Sequence, residues 1–244
     1  MSKLRSRKLP QEIIYLKESA ELADGVWHKT VQDIKSGMSE EQVAAIINYY
    51  ILHGKDKLSF PTIVNAGDKT KPGHSLPTDA ELSGGDLLHV DFGIKHKGYC
   101  SDIQRLAYFR RPNEKNLPPE LLEAFQLVVN IITETSKMCV PNVKGYEIDT
   151  EARKMLKENG YETYQHALGH QLGRDVHDGS ALIGAQWERY GNSTSIPLEE
   201  NNVFTLELEI MLSGIGCVGL EEDIVITNKG GEFLSPRQTE LIVL

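Results

Sequence analysis

Cysteine is scarce in this chain: Cys100, Cys139 and Cys217 are scattered and odd in number, which excludes a disulfide framework. A reducing cytoplasm is therefore the expected compartment. No run of 18 apolar residues occurs, so no membrane span is predicted. The basic N-terminus, MSKLRSRKLPQEII, has no apolar stretch behind it and does not read as a secretory signal. Positive charge is short as well, 26 Lys and Arg against 35 Asp and Glu. The resulting net charge of −9 speaks against nucleic acid as an obligatory partner. Several catalytic signatures are missing: His-Glu-x-x-His, a Gly-x-Ser-x-Gly elbow, and the Gly-rich loop and His-Arg-Asp that would make a kinase of Asp91-Phe92-Gly93.

What the chain does have is two pairs of carboxylates, each set about the tip of a predicted hairpin. In LLHVDFGIKHKGYCSDIQRLAYF, a turn centred between His96 and Lys97 puts Asp91 directly opposite Asp102, on one face. In VFTLELEIMLSGIGCVGLEEDIVIT, a turn centred on Gly214 puts Glu207 opposite Glu221. Cross-strand partners have Cβ atoms about 4.5–5.5 Å apart, and like charges at that range repel unless neutralised. One or two divalent cations would neutralise them. A single acid in a strand is most often on a solvated face, but Asp91 and Glu207 sit in largely apolar stretches, where an unpaired carboxylate is costly.

The stretch from His166 through His170 to His177 carries three histidines within twelve residues, interspersed with glycine. A lone histidine is more often structural than a ligand; this cluster gains weight from four acids that already need a cation. Alternation puts Glu209 on the face of Glu207, and Asp223 on that of Glu221, so either could be confused with a ligand.

Element order adds a frame. Helices are predicted from about Pro10 to Lys35 and from a Ser39/Gln42 capping box through Ile51, then extended chain from Leu58 to Val64. A turn-rich loop is predicted over Asn65 to Gly73, followed by the first acidic hairpin. Residues 110–119 read as a connector. Helices over about Glu120–Met138 and Gly145–Glu158 follow, the latter stopped by Gly160, then the histidine segment and the second hairpin. Helix, helix, acidic hairpin thus occurs twice, which suggests a structural duplication.

With these residues assembled, the chain resembles the superfamily of methionine aminopeptidases, Xaa-Pro dipeptidases and aminopeptidase P. The matching segments are Pro72-Gly73-His74-Ser-Leu-Pro77, Gly85-Asp86-x4-Asp91-Phe92-Gly93, Gly98-Tyr99-x-Ser101-Asp102, His166-x3-His170-x2-Gly173-x3-His177, Thr205-x-Glu207 and Glu221-x-Asp223-x-Val225-x-Thr227. Tyr99-x-Ser101-Asp102 and the prolines around His74 look closer to the Xaa-Pro branch. The resemblance implies an α+β pita-bread fold, a single catalytic domain over 1–244 with pseudo-symmetric halves of about 1–112 and 113–244. Xaa-Pro enzymes commonly carry an N-terminal domain before this fold, but here the chain begins almost at the first helix, so no separate N-terminal domain is expected. The resemblance further implies metal ligands at Asp91, Asp102, His170, Glu207 and Glu221, and substrate-side histidines at His74, His166 and His177. Glu207 would also take the proton of the attacking water, while His74 and His177 steady the carbonyl and its oxyanion.

Two divalent metals are expected, manganese first, with iron, cobalt or zinc also suited to the donor set. The substrate would be a short peptide or small amide, and a homodimer is compatible with the resemblance. Two departures stand out: Leu208-Glu209 where the family usually has Pro-Gly, and Gly219-Leu220 where the Xaa-Pro branch often has an arginine. Both shift local charge negative, which favours a cationic substrate group over a dipeptide carboxylate. The competing readings are a creatinase-like or other small-molecule amide hydrolase or lyase on the same fold, and a non-catalytic peptide-binding module.

Overall fold

The structure is a computed structural model that describes residues 2–67 and 75–244. After a short helix α1 (Ser2–Ser6), α2 (Pro10–Asp33) opens with proline at its first position, where the missing N–H costs nothing. It buries Leu16, Ala20, Ala23 and Trp27, one helical stripe. The predicted capping box starts α3 (Glu40–His53): Gln42 N donates to Ser39 Oγ, and Ser39 N donates to Gln42 Oε1. Strands β1 (Lys57–Leu58), β2 (Ile63–Ala66), β3 (Leu87–Phe92), β4 (Ile94–His96), β5 (Tyr99–Cys100) and β6 (Ile103–Tyr108) follow. Asn65 and Ala66 therefore extend β2 rather than open the predicted loop: Ala66 N donates to the buried Glu40 carboxylate, and both residues pair with β3. Residues 68–73 of that loop lie outside the described residues.

The second half of the chain supplies α4 (Pro119–Met138), α5 (Gly145–Glu158), β7 (Gly169–His170), β8 (Leu182–Ile183), β9 (Val203–Leu212), β10 (Gly216–Thr227), β11 (Gly230–Phe233) and β12 (Ile242–Val243). The fold is α+β, as expected. One core joins α4 and α5 to β9 and β10 through Phe125, Val128, Ile148, Phe204 and Leu220. Another joins α2 and α3 to β3 and β6 through Trp27, Ile47, Val90 and Ile103.

A seven-stranded sheet unites the two sets. Along it β2, β3, β6 and β10 are neighbours in that order, with β9 on the far side of β10. β6 and β10 meet at a single pair, Gln104 and Glu221. On one side of that crossing β11 covers β10, and on the other β12 runs parallel to β6 at Ala107 and Tyr108. Between crossing and tail, the Gln238 carboxamide serves as a strand edge: it accepts from Leu106 N at 2.8 Å and donates to Leu106 O at 2.7 Å. Beside it the buried Arg105 donates to Gln104 O and Glu221 O at 3.0 Å each and pairs with the Glu222 carboxylate, which also accepts from Gln238 N. The point where the two sets of strands cross is thus held by Gln238, Arg105 and Glu222 together, and the acids lie on it.

Candidate metal centre

The register of the sheet lines up one residue from each of five strands. Ile63 faces Asp91, Asp91 faces Gln104, Gln104 faces Glu221, and Glu221 faces Glu207. The second hairpin thus has the predicted register, closing through Gly214 at φ 75°. The first does not: Asp91 lies opposite Gln104, not Asp102. The reason is the turn. Lys97 and Gly98 both take positive φ, 49° and 84°, as a two-residue type I′ turn requires, so the hairpin closes on Lys97-Gly98 and pairs His96 with Tyr99. Moving the partner by two residues preserves side-chain parity, so Asp102 stays on the face of Asp91, offset diagonally.

Glycine admits the close backbone approaches nearby. A Cβ on Gly93 would fall 1.8 Å from Ser101 O, and one on Gly169 would fall 1.9 Å from Thr205 O. The latter contact lets β7 lie against β9, where Glu207 N donates to Leu168 O. His170 is delivered by that strand. Its Nε2 faces three carboxylates: Asp102 Oδ2 at 3.5 Å, Glu221 Oε1 at 3.8 Å and Glu207 Oε1 at 4.0 Å. The donor atoms of Asp102, His170 and Glu221 lie within 4.8 Å of one another. Burial, and then the charge of neighbouring acids, holds the carboxyls of Asp102 and Glu221 well above the usual carboxylate range. Asp102 Oδ1 and Glu221 Oε1 are buried with no hydrogen-bond donor among the described residues. Such a set fits a divalent first-row cation, which satisfies orphaned oxygens and offsets converging charge together.

The histidines divide. His177 stacks on His170 with ring centroids 4.0 Å apart, so it shares the centre. His166 lines the same cavity but is engaged at both nitrogens, Nδ1 with Ala167 O at 2.6 Å and Nε2 with Glu209 Oε1 at 3.3 Å. Burial opposes its charge, but the Glu209 hydrogen bond and the charges of Glu207 and Glu209 outweigh it and raise the His166 pKa to about 9. His74 lies outside the described residues. Asp223, flagged by alternation, accepts from Asp102 N at 3.2 Å and so supports a candidate ligand from behind.

Two residues of the site escaped the sequence reading, Gln104 and His89. Both were reachable by its own logic, since each lies two positions from a candidate ligand and hence on the same face. The cavity above the row encloses about 760 Å³, with Phe60, Ile63, Val176 and Leu182 on its walls and the acids on its floor.

The sequence signature of metallopeptidase family M24 matches residues 15–228. A Xaa-Pro dipeptidase of Pyrococcus horikoshii is 31% identical over 241 residues, which are 98% of this chain and 65% of that protein. Among solved structures, an X-Pro aminopeptidase from Thermotoga maritima superposes with a TM-score of 0.90 at 31% identity, over 100% of this chain and 66% of that one. A Xaa-Pro dipeptidase from Bacillus anthracis gives 0.88 at 29% identity, over 100% and 65%. The chain thus spans slightly less than two thirds of the length of these relatives.

Proposed function

The chain belongs to metallopeptidase family M24 and has its pita-bread fold, and on that premise we infer that it is a metal-dependent peptidase of Xaa-Pro type. The observation that carries the reading is the facing of Glu207, Glu221 and Asp102 by one histidine nitrogen on the floor of a cavity of peptide size. The relatives with Xaa-Pro in their names, matched along nearly the whole chain, supply the substrate class.

Asp91, Asp102, His170, Glu207 and Glu221 would hold the metal, in a dinuclear arrangement with manganese as the first candidate. When bound, such ions supply Lewis acidity that activates water and polarises a carbonyl near neutral pH. The remaining work falls to side chains. Glu207 takes the proton of the attacking water and returns it to the leaving nitrogen. His177, beside His170, donates to the carbonyl oxygen as it gains charge, with His74 as its partner. His166 is the substrate-binding histidine of the cavity wall, held in place by its ion pair with Glu209. Residues 1–244 act as one catalytic domain, in a cytoplasmic setting, on short peptides.

Hydrolysis of Xaa-Pro dipeptides, Xaa-Pro tripeptides and Met-Ala peptides by metal-stripped and by manganese-, cobalt- and zinc-loaded protein tests this. Metal-restored cleavage before proline, lost in Glu207→Gln, is the expected result. Tight metal binding with no peptide cleaved would overturn it and point to a non-peptide amide.

A further inference from the structure

Gln104 sits in the middle of the carboxylate row, and its side chain is occupied at both ends. Nε2 donates to Glu221 Oε2 at 2.9 Å and to Glu207 Oε2 at 3.2 Å, while Oε1 lies 3.0 Å from His89 Nε2. The glutamates would hold a metal as ionised carboxylates, which only accept, so the amide nitrogen has to face them in the metal-binding state. The amide oxygen then faces His89, whose Nε2 must carry the proton between them. As a donor at that end, His89 holds the amide in the orientation that the glutamates select. Gly219 leaves the room: a Cβ there would come within 3.0 Å of Gln104 Oε1 and 3.2 Å of His89 Nε2. The departure at Gly219 and the presence of Gln104 are thus two sides of one packing solution.

We propose that Gln104, oriented by His89, is the positioning residue for both glutamates of the metal centre. It gathers their Oε2 atoms on one shared donor and so leaves both Oε1 atoms turned toward His170, at 3.8 and 4.0 Å from its Nε2. Two carboxylates directly opposed on neighbouring strands otherwise swing apart. A shared neutral donor keeps their spacing before a metal arrives, and the metal then meets a set that needs little rearrangement. The role rests on the metal reading above, but not on any peptide being cleaved.

The test is cobalt(II) binding, read by its visible absorption spectrum and by competition with a chelator. It compares wild type, Gln104→Met, His89→Phe and His89→Gln, with thermal melting of each metal-free protein as the folding control. Gln104→Met should lose about tenfold or more in cobalt affinity, the usual scale for a partner behind a ligand, and should change the cobalt spectrum. His89→Phe should shift both in the same direction, and His89→Gln, which restores a donor, should recover them. Gln104→Met with wild-type spectrum and affinity overturns the proposal. Tighter binding overturns it too, because the amide would then compete with the ion. If Gln104→Met does not fold, the His89 pair decides: indistinguishable Phe and Gln variants overturn the orientation by His89. Wild-type protein that takes up no cobalt removes the metal reading, and this proposal with it.

Discussion

Asp102, Glu221 and Asp223 are acids that their surroundings discourage from ionising. Burial is the main cause for all three, and it raises their pKa values above the ordinary range. Between that range, near about pH 4, and neutrality, the folded metal-free protein holds more protons than the unfolded chain. Stability from these groups is then complete below the unfolded values and is lost as pH rises through the folded ones. Metal-free protein should accordingly resist urea better at mildly acidic pH than at pH 7. Manganese should reverse the slope, because the metal binds the ionised acids. A metal-free protein that gains stability toward neutral pH would mean the acids have another counter-charge. Glu209 gives a second residue-level prediction. In Glu209→Gln, His166 loses its ion pair and keeps its burial, so its pKa should fall from about 9 toward or below the usual histidine value. A histidine NMR titration reads that directly.

At the scale of elements, the loop from His170 to Asp178 depends on a segment far away in sequence. Arg5 pairs with Asp175 and with the buried Asp178, both at 2.9 Å, and Ser6 Oγ donates to Gln171 Oε1. Gln171 Oε1 also accepts from Ser180 N and Ala181 N, so one amide ties the N-terminal segment to both ends of the loop that carries His177. Arg5→Ala should cost about 1–2 kcal/mol, and it should speed amide exchange over residues 171–178 more than elsewhere. Uniform exchange would mean the loop holds itself. Much at this scale was legible in the sequence. Ser39 and Gln42 announced α3, apolar spacing announced α2, and Gly214 centred the second hairpin. The first hairpin was misread because its turn was placed by symmetry between acids instead of by backbone chemistry, which Lys97-Gly98 had advertised. The support from Arg5 was not legible, since nothing local marks a partner some 170 positions distant.

Across the whole molecule, the candidate site lies where two sets of strands cross, and no local pattern could have announced that crossing. Alternation told which residues share a face, and so brought the acids, Glu209 and Asp223 together. It could not tell that β6 and β10 touch at one pair and then part. Gln238 shows what that parting demands. With Gln238→Leu, the N–H and C=O of Leu106 lose their partner inside the sheet, which should destabilise the protein by about 2–4 kcal/mol. Equilibrium urea unfolding measures it, and a loss under 1 kcal/mol would mean water replaces the amide there.

The parallel pairing of β12 with β6 also sets an order in time. A ribosome releases β6 long before it makes β10 or β12, the two strands that cover its outer edge. Until both arrive, a nascent chain with its first helices already packed would carry an uncovered strand edge, a template for pairing with other chains. The carboxylate row is incomplete over the same interval. Solubility during synthesis and assembly of the centre are therefore reached together, late, and by the same closing of the sheet.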